Sequence, residues 1–251
     1  MIDVLAYSAD SAYYGSYGFR GFGLGWFDPT YILVIIGLVI TLIASANVTR
    51  TFKKYDKVKS YRGITGAMAA RKILDANGLQ NIRIERVSGN LTDHYSPKEG
   101  VIRLSDATHD SQSIAALGVA AHECGHAVQH QVGYAPIRVR NAIVPVVNIC
   151  NYLSIPIIIL GIILGMTGLA MVGVYLFSAV LVFQVITLPT ETNASRRAIE
   201  TLSAMAILDE EEIKGTQKVL NAAAMTYFAS VASTALQLLR LVMLVSGRRR
   251  D

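Results

Sequence analysis

The chain has 251 residues, of which 52% are hydrophobic and 16% charged, well under the roughly 25% charged content of ordinary soluble domains. That balance argues against a freely soluble enzyme and for residence in a membrane. The net charge is +5, unevenly spread, and two cysteines, Cys124 and Cys150, cannot build a disulfide framework of the secreted type.

Residues 1–29 are rich in Tyr, Gly and Phe, carry Arg20 as their one basic residue, and read as an extracytoplasmic N-terminus without a packed domain. "YILVIIGLVITLIASANV", Tyr31 to Val48, is uncharged and long enough to cross hydrocarbon, which predicts a transmembrane helix over 30–49. Ala44-Ser45-Ala46 resembles a signal-cleavage site, but the long acidic region before the apolar run is the opposite of a signal's basic start. Arg50, Lys53, Lys54, Lys57, Lys59 and Arg62 follow the span directly and mark its cytoplasmic end.

Residues 50–140 therefore read as a cytoplasmic catalytic domain of α+β type. "TGAMAARKILDANG" has helical periodicity and stops at Asn77-Gly78. "NIRIERV" and "VIRLS" read as strands, and a helix is predicted from about Ser111 to Gln131. Asn141 to Thr190 contain no charged residue, enough for two spans of about 20 residues each. The natural turn is Gly165 to Gly168, so 141–188 read as a transmembrane hairpin. Residues 189–220 return to the cytoplasm, with Arg196 and Arg197 on the expected side. Residues 221–251 hold a last apolar helix, interrupted by Gln237 and Arg240 and ending in a basic tail. It can span as a fourth helix, which leaves the tail outside, pack back on the bundle, or lie along the interface. The fold class expected is mostly α: a multi-pass membrane protein with a small cytoplasmic zincin-like domain, its H-E-x-x-H helix beside a short sheet.

The chemistry concentrates in "AAHECGHAVQH", residues 120–130. His122 and His126, four apart, share one helix face, so two imidazoles can bind one tetrahedral zinc from the same side. Glu123 is turned about 100 degrees from His122 and flanks the metal, where it can serve as general base. Ala120, Ala121, Gly125 and Ala127 are small, as a crowded metal site needs. A third ligand is missing from the motif. His130 lies about 80 degrees round the helix from His122, and a metzincin site would need Gly and His where Gln129 and Val132 stand. The acids downstream are Glu191, Glu200, Asp209, Glu210, Glu211, Glu212 and Asp251, and Glu191 stands out as the first charge after the uncharged run. In "LTDHYSP", His94 or Tyr95 is a candidate to stabilise an oxyanion. The alternative there is a turn capped by Asp93 with His94 exposed.

"GITGAMAARKILDANGL", "LTDHYSP", "VAAHECGHAVQH" and "LPTETNASRRA" together resemble the bacterial membrane-bound neutral zinc metallopeptidases of the YugP type, over about Tyr31 to Val245. The resemblance implies a zinc endopeptidase embedded by several helices. More distantly, "ETNAS" is similar to the E-x-x-A-D signature of HtpX-like gluzincins, which implies Glu191 as third zinc ligand. Ser195 departs from that signature, which has an aspartate there to orient a ligand histidine.

The expected function is hydrolysis of peptide bonds at the cytoplasmic membrane face. One Zn2+ is held by His122, His126 and Glu191, Glu123 is the base, and "VIRLS" is available to align substrate by edge pairing. The partners expected are a peptide or protein substrate and the lipid bilayer, with no nucleic acid. Two alternatives remain. An intramembrane zinc protease needs the motif inside an apolar span, which the polar residues around it oppose. A zinc-binding scaffold without turnover leaves Glu123 unexplained.

Overall fold

The computed structural model describes residues 28–247; the expectations for the Tyr/Gly-rich N-terminus before residue 28 and for the basic tail from 248 onward lie outside the described residues. The elements in chain order are α1 (Tyr31–Tyr55), α2 (Gly66–Ala76), β1 (Arg83–Val87), β2 (His94–Ser96), β3 (Val101–Ser105) and α3 (Asp106–His109). They are followed by α4 (Ile114–Gln131), α5 (Ala135–Ile163), α6 (Thr167–Ala204) and α7 (Glu210–Gly247). The chain is mostly helical and forms two compact units. One comprises Ala46–Ile137 and Pro189–Met225; the other comprises 28–45, Arg138–Leu188 and 226–247.

In the first unit, local signals set the element ends. Thr65 caps α2 by accepting from the Met68 N–H. The helix stops where Gly78 takes φ +72° and Leu79 N–H bonds back to Leu74 C=O, a Schellman ending that only a residue free of a Cβ enters without strain. The sheet has the order β1-β3-β2, with β1 parallel and β2 antiparallel to β3. β3 is thus the central strand, and Val101, Ile102 and Leu104 are fully buried, as a strand covered on both sides requires. This corrects the expectation for "VIRLS": its hydrogen-bonding edges are taken by β1 and β2, so it has no edge to offer a substrate. β2 has no counterpart in the sequence reading, because three residues, His-Tyr-Ser, carry no alternation.

α4 runs through the core of this unit and is buried without a break from Ile114 to Ala127. Ser113 caps it, accepting from Ala116 N–H at 3.1 Å while donating to Asp56 Oδ1 at 2.8 Å. The buried cluster around it draws Ala70, Ile73 and Leu74 from α2, Ile102 and Leu104 from β3, Ala198 and Leu202 from α6, and Leu220 from α7. α7 begins with a capping box. Asp209 Oδ1 accepts from Glu212 N–H, and Glu212 Oε2 accepts from Asp209 N–H, both at 2.8 Å. It then continues as one helix of 38 residues, through the 220/221 boundary that the sequence reading sets before the last apolar helix.

The second unit is built from apolar helix segments. Among the described residues four helices, α1, α5, α6 and α7, are long and apolar enough to cross a membrane. α5 and α6 pack as a hairpin at small residues: a Cβ on Gly161 would meet Ala170 N at 2.3 Å, and one on Gly173 would meet Ser154 O at 2.7 Å. α1 and α7 run antiparallel, with Gly37 against Ser233 and, further out, Tyr31 against Arg240. The Arg240 guanidinium lies 4.0 Å from the Tyr31 ring centroid and 4.0 Å from Asp28 Oδ2, which gives this charge partners at the helix end. Ile32, Leu42, Ile43, Ile149, Leu160 and Val182 remain exposed, an apolar surface too extensive for water and suited to lipid.

Candidate metal centre

The site lies wholly within the first unit and is made where α4 crosses α6. Gly125 permits the crossing: a Cβ there would come within 2.8 Å of the Ala194 carbonyl oxygen. One residue past Gly125 is His126 and three before it is His122; Glu191 and Ser195 flank Ala194 on the facing helix. His122 Nε2 and His126 Nε2 lie 3.3 and 3.5 Å from Glu191 Oε2. The two imidazole rings meet edge to face, with centroids 4.7 Å apart. One ligand atom from each of His122, His126 and Glu191 falls within 4.8 Å of the other two.

These residues fit a metal ion on grounds of their own chemistry. A tetrahedral zinc with bonds of ~2.1 Å sets its ligand atoms about 3.4 Å apart, and the two N···O separations straddle that value. Glu191 is 3% exposed, yet its Oε2 accepts no hydrogen bond. A buried carboxylate oxygen left without a donor, facing two imidazole nitrogens, is costly unless a cation sits among them.

The ring nitrogens on the far side are held by the protein. Ser195 Oγ lies 3.1 Å from His122 Nδ1, so the serine stands where an aspartate was expected and contacts the His122 ring. Gln129 Oε1 lies 3.0 Å from His126 Nδ1. The Gln129 amide nitrogen donates to Thr190 O at 2.8 Å and to Asn193 Oδ1 at 2.9 Å, and Arg197 Nε donates to that same Asn193 oxygen at 2.9 Å. Sequence reasoning missed Gln129, Asn193 and Arg197. The available signal was a fully buried polar residue one turn beyond the second histidine, and burial is invisible before folding.

Glu123 is buried beside His122 on α4, outside the converging trio. His130 is exposed, with its ring set edgewise to Tyr95 at 6.2 Å between centroids. His109 ends α3, where its Nδ1 lies 2.7 Å from Asp110 Oδ1. On β2, His94 Nδ1 lies 2.9 Å from Thr92 O, so Nδ1 carries the hydrogen and Nε2 donates only from the imidazolium. Asp93 is buried and clamps the end of β3, accepting from Ser105 N–H at 2.7 Å and Ser105 Oγ–H at 2.9 Å. Burial pushes its carboxyl above the usual carboxylate range, and the Glu123 charge adds to the rise. Burial likewise raises the Tyr95 phenol. The Cys124 thiol is pushed far up by burial and is a packing group.

Residues 30–246 match the family model described as "Putative neutral zinc metallopeptidase". The chain is 43% identical over 217 residues to "Putative membrane protease YugP" of Bacillus subtilis (strain 168), covering 86% of this chain and 96% of that relative. No solved structure matches the chain.

Proposed function

The chain belongs to the neutral zinc metallopeptidase family, and on that premise we propose that it is a membrane endopeptidase that cuts peptide bonds at the cytoplasmic face. The observation that carries this reading is the convergence of His122 Nε2 and His126 Nε2 on the donorless Glu191 Oε2, at 3.3 and 3.5 Å, with the buried Glu123 next to His122 in the chain. A trio of protein ligands with one coordination position left over is the pattern of a catalytic zinc; a structural zinc takes four.

His122, His126 and Glu191 hold the ion. When bound, zinc supplies a Lewis acid that brings the acidity of water near neutral pH. Glu123 takes the proton of the attacking water and later delivers it to the leaving amine nitrogen. β2 carries the proposed oxyanion donor: His94 through Nε2 in its imidazolium form, or the Tyr95 hydroxyl. The cytoplasmic assignment rests on Arg50, Lys53, Lys54 and Lys57 after the apolar part of α1, and on Arg196 and Arg197 after that of α6.

The test is zinc analysis and proteolysis of an unfolded protein by the purified chain and by Glu123→Gln. The variant is expected to keep stoichiometric zinc and to lose about 10²–10⁴ in rate, the usual worth of a general base. Undiminished proteolysis by zinc-loaded Glu123→Gln would remove Glu123 from the chemistry.

A further inference from the structure

Histidine can present either ring nitrogen to a metal, and the choice is set by what the other nitrogen meets. At His122 the partner is the Ser195 hydroxyl, which can turn to donate or accept, so it imposes no direction. At His126 the partner is an amide whose two ends differ, and a chain of fixed donors and acceptors decides which end it shows.

Arg197 is the fixed donor at one end of that chain. A guanidinium only donates, so the Asn193 atom 2.9 Å from Arg197 Nε is the oxygen. That oxygen and the backbone carbonyl of Thr190 both face the Gln129 side chain, at 2.9 and 2.8 Å. Two acceptors require the Gln129 NH2 group, which leaves Gln129 Oε1 toward His126 Nδ1 at 3.0 Å. An amide oxygen accepts, so Nδ1 carries the hydrogen and Nε2 keeps its lone pair. Nε2 is the atom directed at Glu191 Oε2. Gln129 is fully buried, so no water competes for these bonds.

We propose that Gln129 is a positioning residue that sets the metal-binding tautomer of His126 and ties it to the backbone next to Glu191, with Asn193 and Arg197 fixing its orientation. One side chain on α4 thereby holds two ligands from two helices in register: its oxygen holds His126, and its nitrogen holds the carbonyl one residue before Glu191. Arg197 acts from one turn further along α6, through Asn193. The inference rests on the zinc-site reading above.

The test measures zinc affinity of the full-length protein in detergent by competition with a chromophoric chelator, together with the visible absorption of the cobalt(II)-loaded form. Gln129→Leu is expected to lose about 10–100-fold in zinc affinity, as the removal of partners behind ligand histidines does elsewhere. Its cobalt spectrum should shift while the melting of the metal-free protein stays close to wild type. Asn193→Leu removes one of the two acceptors that orient the amide, leaving the Thr190 carbonyl to hold it alone, and should weaken zinc by less than Gln129→Leu does. Asn193→Asp keeps an acceptor for both Arg197 and Gln129, and should restore affinity and spectrum. The two Asn193 variants carry the test should Gln129→Leu fail to fold. Wild-type affinity and spectrum in Gln129→Leu and Asn193→Leu, with zinc bound by the parent, would overturn the relay alone. A parent chain that binds no zinc would overturn the relay and the metal site together.

Discussion

Glu123 and Glu191 are both buried carboxylates, one next to His122 in the chain and the other facing two imidazoles, and they should fail in different ways when removed. Glu191 Oε2 faces two imidazole nitrogens and no donor, so Glu191→Ala is expected to lose zinc and activity together. Glu200 is exposed and pairs with Arg196 at 3.8 Å, an interaction worth little, so Glu200→Ala should keep both. Full zinc in Glu191→Ala, read by metal analysis, would exclude Glu191 as a ligand. Asp93 makes a second prediction at this scale. Its folded-state pKa is raised, so the native state holds more protons than the unfolded chain between the ordinary aspartate value and the elevated one. The stability it contributes is therefore fully present below about pH 3.9 and is lost as pH rises through the elevated value. Asp93→Asn keeps an acceptor for Ser105 N–H and removes the charge beside Glu123. The difference in melting temperature should move in favour of Asp93→Asn as pH rises from about 4 to 7; a gap that stays constant with pH would show that Asp93 does not titrate as argued.

The elements show how much of the site could be read in advance. The His122–Glu123–His126 spacing and the end of α2 at Asn77-Gly78 are local, and local signals survive folding. The contacts behind the ligands are not local: Gln129 meets partners 61 and 64 positions further on, and no periodicity announces that pairing. β3 reads correctly as a strand, but its central position depends on β2, a three-residue strand too short to show a pattern. The small residues around the histidines were legible as crowding, and the structure locates the pressure at Gly125. Ala194 O, which a Cβ on Gly125 would approach to 2.8 Å, is a backbone atom of a packed helix and cannot step aside. Gly125→Ala should therefore spread α4 from α6, destabilise the chain by about 1–3 kcal/mol and weaken zinc binding. Gly168→Ala, whose Cβ meets nothing within 4 Å, should leave melting and zinc unchanged. Equal zinc affinity in the two variants would mean that the helix crossing does not set the ligand spacing.

At the scale of the molecule, the helix directions within the second unit constrain the topology more than charge counting does. Gly37 against Ser233 and Tyr31 against Arg240 make α1 and α7 antiparallel, so if one crosses the bilayer inward the other crosses outward. The turn between α5 and α6 belongs to the same end as the last turns of α7, because Ile158, Ala170 and Val174 pack with Leu241 and Val245. Asp28, Met166 and Gly247 should thus emerge on one face. The alternative of a final helix lying along the interface leaves Arg240 without its observed partners, Asp28 and the Tyr31 ring. The rule of basic cytoplasmic flanks predicts the direction: Lys53, Lys54 and Lys57 follow α1's apolar stretch, and Arg138 and Arg140 precede that of α5. Single cysteines placed in a Cys150→Ser background decide it in intact cells, since Cys124 is buried. An impermeant thiol reagent should modify Met166→Cys, which is exposed in the α5–α6 turn, and should leave Lys57→Cys and Lys98→Cys unmodified until the membrane is opened. Modification at 57 and 98 but not at 166 would invert the topology and move the proposed proteolysis to the opposite face, while the antiparallel pairing of α1 and α7 would stand. Modification at all three positions in sealed cells would instead show that the α5–α6 hairpin does not cross, and that the apolar surface of the second unit is covered by something other than lipid.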